Sequence, residues 1–402
     1  MKRKIGFFVP LTLGMLTAFG PFVTDFYLPS MPEMTNYFRT SPSMVAMSLT
    51  AGMIGLAAGQ IFIGPLSDKY GRKRLLVLSM LLFILSTVLC LFAPNIHLFN
   101  ALRVCQGLGG AGGIVLSKSI STDMFTGRKL TNFMALLGAI NGVAPVCAPI
   151  VGGAMMNFTT WRGIFCLLLT IGVILLVCSC RLTETLRPEA RSHSGLLQVY
   201  GKLFAVFHNR RFTLSSLGMM FSFFTFFAYI SASPFIFQNI YGLTPFQFSL
   251  CFGMNAFMIG IGAALATRFH HANTALKWAS IDLLVSAGLV LGCQLVHAPL
   301  AVLMPCYTYM MLSFGLMQPG STSIALDTER DNAGVASAVF GASGFVAGAL
   351  ASPLVSMGDI LVSSGLVMFF GAIGCVALTL PLCATIKKEG AGERSSSPTK
   401  GF

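Results

Sequence analysis

The segment GPLSDKYGRKR, residues 64–74, decides how this chain is read. It crowds Asp68 together with Lys69, Arg72, Lys73 and Arg74, yet the chain is apolar on both sides, over 44–66 and again over 75–93. Each flank is long enough to cross a hydrocarbon core, which takes about 20 residues in a helix. The segment is therefore a polar turn between two membrane spans, and Gly64 and Gly71 allow it to be tight.

Outward from that turn, apolar stretches of span length recur at 5–28, 98–119, 132–155 and 163–181. A second set lies at 212–234, 248–267, 278–297, 299–322, 334–356 and 361–386. The reading is an all-α membrane protein with twelve transmembrane helices in two six-helix bundles. Composition agrees: of 402 residues, 55% are apolar and 10% charged, with 35 Phe and 22 Met, far from soluble usage. The opening MKRKIGFFVPLTLGML has a basic start, but its apolar run is about 20 residues long without an A-x-A-like cleavage site, so it stays as the first span.

The net charge of +13 does not point to nucleic acid, because the basic residues sit between apolar runs and not on one soluble face. They report topology instead. With the N-terminus inward, every Lys and Arg falls on the inner side except Arg39 and Arg162 outside and Arg103 within the fourth span, as the bias of short cytoplasmic loops requires. Both termini are then cytoplasmic. The expected division is a first bundle over 1–181, a cytoplasmic linker over 182–211, a second bundle over 212–386 and a disordered tail over 387–402. The eleven cysteines lie in apolar segments and read as packing residues, not a disulfide framework.

The halves echo one another about 200 residues apart: GAINGVAPVCAPIVGG in the fifth span is similar to GASGFVAGALASPLVSMG in the eleventh. Parallel six-span repeats are a transporter plan with the substrate site at the repeat interface. Charged side chains inside such spans are few, and each costs at least about 2.5–3.5 kcal/mol at the bilayer centre. Asp25 in the first span and Arg103 in the fourth lie at similar depth in the outward half. Proton coupling needs a carboxyl that is protonated in one state and ionised in another, and Asp25 is the candidate; a helix cap or fixed salt bridge is the plainer alternative. Arg103 either modulates Asp25, directly or through a polar network, or bridges backbone carbonyls. Asp282, near the inward end of the ninth span, would reach the interface or meet Lys277. Gln60, Asn141 and Asn255 are uncharged polar residues within spans, suited to bonding another helix or a substrate. Tyr229 and Ser233 stand among many Phe in the seventh span, the make-up of an apolar pocket with a few polar groups. No metal, cofactor, Walker-loop or hydrolase pattern is present in the sequence, which leaves an enzyme or sensor without a site.

Three motifs carry a family resemblance. GPLSDKYGRKR resembles the signature loop of the major facilitator superfamily, RVCQGLGGAGG (103–113) its fourth-span motif, and APIVGG (148–153) its fifth-span antiporter motif. TDFYLPSMP with AYISASPFIFQNIYGLTPFQF (228–248) narrows the resemblance to drug:proton antiporters of the bicyclomycin and chloramphenicol/florfenicol resistance type. It implies that Asp25, with Tyr27 beside it, belongs to the coupling and substrate region and that Arg103 is the fourth-span motif arginine. Gly64, Asp68, Gly71 and Arg72 would form the conformational loop, and Gly138, Pro149, Gly152 and Gly153 a kinked, closely packed fifth span. Ala148 stands where the wider superfamily has glycine, and Thr122 where the subfamily has arginine before Asp123. The implied activity is proton-coupled export of amphipathic small molecules by a monomer, without cofactor. The alternative is a carrier of a native amino acid, nucleoside or sugar.

Overall fold

Prolines and short polar turns set where the helices break. The computed structural model describes residues 8–191, 206–269, 271–329, 333–355 and 357–396. The first span is broken: α1 (Phe8–Thr17) and α2 (Phe19–Asp25) are followed by a 3-10 turn, Leu28–Ser30, and α3 (Met31–Tyr37), with a 41° bend between α1 and the remainder. Pro21 explains the first break, because it has no N–H for the Thr17 carbonyl.

The rest of the first bundle is α4 (Pro42–Tyr70), α5 (Arg72–Leu91), α6 (Ile96–Met124), α7 (Gly127–Met155) and α8 (Trp161–Arg181). Ser41 and Asn95 cap α4 and α6, accepting the amides of Met44 and Leu98. Gly71 ends α4 at φ +99°, a conformation that side chains other than glycine's rarely adopt. The second bundle is α9 (Arg210–Phe235), α10 (Pro245–Ala266), α11 (Ala272–Leu295), α12 (Leu300–Thr328), α13 (Ala333–Val355) and α14 (Ile360–Ser396). Residues 192–205 of the expected linker lie outside the described residues, as do 397–402 of the tail, whose earlier part continues α14 as helical backbone.

Ten of these helices are long and apolar enough to cross a membrane, eleven when the bent first span counts as one. The remaining span is α6, as long as α4 but less apolar, because five glycines, Arg103 and Gln106 interrupt it. It packs against both α4 and α5, so its polar groups meet protein.

Close backbone approach joins the inner helices of each bundle. A Cβ on Gly55 would overlap the Val104 carbonyl, and one on Gly107 the Gly52 carbonyl, so α4 and α6 touch through glycine. The second bundle repeats the device between α10 and α12, where Gly262 faces the Leu312 carbonyl and Gly315 that of Ile259. Between bundles, α4 packs on α13 and α7 on α10.

Several helices overrun the apolar stretches at the end of the molecule rich in Lys and Arg, hereafter the basic end. One of them is α11, which begins at Ala272 and not near 278. Asp282 therefore lies about ten residues in, roughly 15 Å along the helix, and not near its start.

The packing predicts opposite outcomes for two glycines. Gly107→Val would push against the backbone of Gly52 and Leu56, which cannot give way cheaply, and should lower thermal stability in detergent by about 1–3 kcal/mol. Gly138→Ala meets open space and should be neutral or slightly stabilising; equal losses in both would refute this account of the helix seam.

Candidate functional site at the break in the first span

Asp25 is the last residue of α2, where the helix gives way to the 3-10 turn. It is 4% exposed, facing neither lipid nor bulk water, and its Oδ1 is buried without a hydrogen-bond partner. The preceding hydroxyl, Thr24, donates to the Gly20 carbonyl at 3.0 Å. Among the described residues no Lys or Arg pairs with the carboxyl.

Arg103 does not meet Asp25 directly. It is fully buried in α6, and its Nη2 donates to the Val23 carbonyl at 2.6 Å. A helix leaves the carbonyls of its last turn free, so the guanidinium caps α2 two residues before the carboxyl. The other guanidinium nitrogens bond the Ser48 carbonyl at 3.4 Å and the Gln106 side chain. Gln106 passes the chain on to Thr87 at 2.8 Å. Tyr27 lies with its ring centroid 4.4 Å from the guanidinium carbon and its hydroxyl 3.0 Å from that of Ser48. Arg103 and Tyr27 are thus brought together as the packing that holds the break.

The fifth span closes the other side. A Cβ on Gly152 would overlap the carbonyl of Phe26, the residue after Asp25, while one on Gly153 would meet Ser249 and the Pro245 carbonyl of α10. Adjacent glycines therefore press α7 onto the broken span and onto the opposite bundle. At this same far end Gln238 donates to the Pro29 carbonyl at 3.1 Å and Ser352 to the Ala46 carbonyl at 3.0 Å, tying the bundles. Towards the basic end α7 loses those neighbours: Gly138 and Gly142 face open space and Asn141 is exposed. Pro149 is buried in α7 between them. Gln60, in α4, lies against Gly341 of α13.

The loop that opened the sequence reading forms a closed ionic knot. Arg72 Nη1 meets Asp68 at 2.5 Å and donates to Ser67 at 2.6 Å, while its Nε donates to Asp123 at 3.2 Å. Gly64 approaches Val115 of α6. The carboxylate at the N-terminus of α5 is Glu184, not Asp68: it accepts the amides of Arg72 and Lys73 at 3.0 and 3.2 Å. Glu184 gave no sequence signal, since it lies beyond α8 in the linker. Asp123, whose role the sequence left open, is the second anchor of Arg72.

In the second bundle Tyr229 and Asn255 come together. Asn255 donates to the Tyr229 hydroxyl at 2.7 Å and accepts from Thr308 at 2.8 Å, which joins α9, α10 and α12. Both are buried, so the polar groups expected to line a pocket here bond one helix to another. Ser233 is also buried and donates to the Ile230 carbonyl. Asp282 does not pair with Lys277; it accepts from the Tyr309 hydroxyl and from Ser313 at 2.8 Å.

Comparison with known proteins agrees with this architecture. Residues 13–352 match the family model described as Major Facilitator Superfamily. The chain is 37% identical over 368 residues to an uncharacterized MFS-type transporter, YdgK, of Bacillus subtilis, covering 90% of this chain and 92% of the relative. It is 28% identical to a bicyclomycin resistance protein homolog of Haemophilus influenzae, covering 94% and 96%, and 25% identical to multidrug resistance protein D of Escherichia coli, covering 97% and 99%. Among solved structures, a D-xylose-proton symporter superposes with TM-score 0.76 at 15% identity over 94% of this chain and 97% of its own.

The cap on α2 is testable. Lysine cannot reach three acceptors from one rigid fork, so Arg103→Lys should destabilise the protein by about 1–3 kcal/mol in detergent, as buried carbonyls lose their donors. Unchanged thermal unfolding would remove Arg103 from the role of holding the break.

Proposed function

This chain belongs to the major facilitator superfamily, and from that premise we propose that it exports amphipathic small molecules in exchange for protons. The observation that carries the reading is the carboxyl of Asp25, enclosed at the break in the first span with an oxygen that bonds nothing. A carboxylate removed from water without a partner is costly, whereas its protonated form is tolerated. Asp25 therefore suits an alternation between a proton and a bound substrate. Relatives named for bicyclomycin and multidrug resistance support the same substrate class.

The roles follow from position. Asp25 carries the proton. Arg103 and Tyr27 are positioning residues, fixing the backbone turn that presents it. Gly152 and Gly153 let the fifth span bear on both bundles, and Gly138 with Asn141 borders the space that opens toward the basic end. The charge bias supports a cytoplasmic position for that end and for both termini. Substrate then enters from the cytoplasm and protons from outside, in a monomer whose bundles rock about the far-end contacts while the Arg72 knot stiffens the first bundle. A potential of 100 mV supplies about 2.3 kcal/mol per charge moved, roughly a fifty-fold gradient of a neutral substrate for one proton.

The test is transport in proteoliposomes with ethidium and chloramphenicol as probes, beside a panel of amino acids, nucleosides and sugars. Gradient-driven accumulation of at least one amphipathic probe is expected in the native protein and should fall to the protein-free level in Asp25→Asn. Unimpaired accumulation in that variant would overturn the assignment of Asp25, and saturation by a single metabolite with neither probe moved would overturn drug export.

A further inference from the structure

Asp282 is a second carboxyl within a helix long and apolar enough to cross a membrane, in a place the exchange at Asp25 does not use. It sits about 15 Å along α11, on the outer flank of the second bundle. Around it α11 and α12 leave a crevice of about 330 Å³ lined by Phe269, Trp278, Asp282, Val285 and Leu316, among others. Phe269, Trp278 and Val285 are exposed large hydrophobics, so the crevice opens onto the lipid-facing surface. An ionisable side chain there is expensive and calls for a partner. Among the described residues, none of the Lys and Arg nitrogens lies within ion-pairing distance of it.

The chemistry of the crevice selects its ligand. The Tyr309 and Ser313 hydroxyls both donate hydrogen bonds to the carboxylate, which fixes its orientation and leaves neither hydroxyl proton to offer a ligand. What remains free at Asp282 is acceptor capacity alone. Trp278, one turn away on the same helix, offers an aromatic face, and that face already draws positive charge, with Lys277 Nζ 5.8 Å from the ring centroid. A carboxylate, an indole and an apolar lining complement a cation with a hydrocarbon body and reject an anion.

We propose that this crevice is a lateral binding site for lipophilic cations arriving from the bilayer. The proposal rests on the transporter reading for its purpose but not for its chemistry, and it is tested by binding and not by transport. The chain has two tryptophans, Trp161 and Trp278, and the first is fully buried in the first bundle. In phosphatidylcholine nanodiscs, the full-length protein is titrated with decylpyridinium, a cationic quencher of indole fluorescence. The quenching that Trp278→Phe removes is the Trp278 signal. It should saturate in the native protein, and its midpoint should rise at least about tenfold in Asp282→Asn, whose fold is checked by thermal unfolding. A neutral bromoalkanol of the same chain length should quench both proteins alike. An equal midpoint for decylpyridinium in both proteins, or no saturable component in the native protein, would overturn the site. Asp25→Asn should leave the Trp278 signal intact, so that loss of proton coupling and loss of this site are read separately.

Discussion

The structure depends on keeping backbone polar groups bonded where a membrane helix is broken. A bilayer offers no water to a free carbonyl, so a break survives only if protein supplies the missing partners. In the first span Pro21 and the 3-10 turn at Leu28–Ser30 interrupt the ladder, and Arg103 supplies a donor to Val23 at the end of α2. That one side chain also reaches Ser48 and Gln106, which makes α4, α6 and the broken span one unit. Asp25 is placed by this arrangement, since it is the residue at which α2 stops.

The two bundles share a scaffold and differ in chemistry. Glycine-mediated contact between α4 and α6 recurs between α10 and α12, at positions about 207 residues on. Polar groups inside the second bundle, however, close on one another through Tyr229, Asn255 and Thr308. The first bundle holds a buried carboxyl oxygen that bonds nothing. An asymmetry of this kind suits a machine in which one half titrates and the other serves as a stiff counterface, and the paired glycines 152 and 153 are where the two meet.

Much of this was legible in the sequence because apolar length and basic loops respond directly to the membrane. The span pattern, the polar turn at 64–74 and the intramembrane placement of Asp25 and Arg103 needed no tertiary information. Helix ends were less legible: a helix that leaves the hydrocarbon continues through polar residues that hydropathy does not register, and α11 consequently begins six residues before the apolar stretch. Partner choice was not legible at all. Nothing local says that Asn255 bonds Tyr229, or that Glu184 crosses from beyond α8 to the start of α5. Gln106 is an instructive exception, since its position one turn from Arg103 on the same helix was a usable signal for the network it joins.

The central claim is that a proton leaves Asp25 when an amphipathic ligand binds. Protein purified in weakly buffered detergent can be mixed with such a ligand while a pH indicator counts released protons. About one proton per bound ligand is expected from the native protein and none from Asp25→Asn at equal ligand occupancy. Equal release from both proteins would contradict the account, because the titrating group would then lie elsewhere.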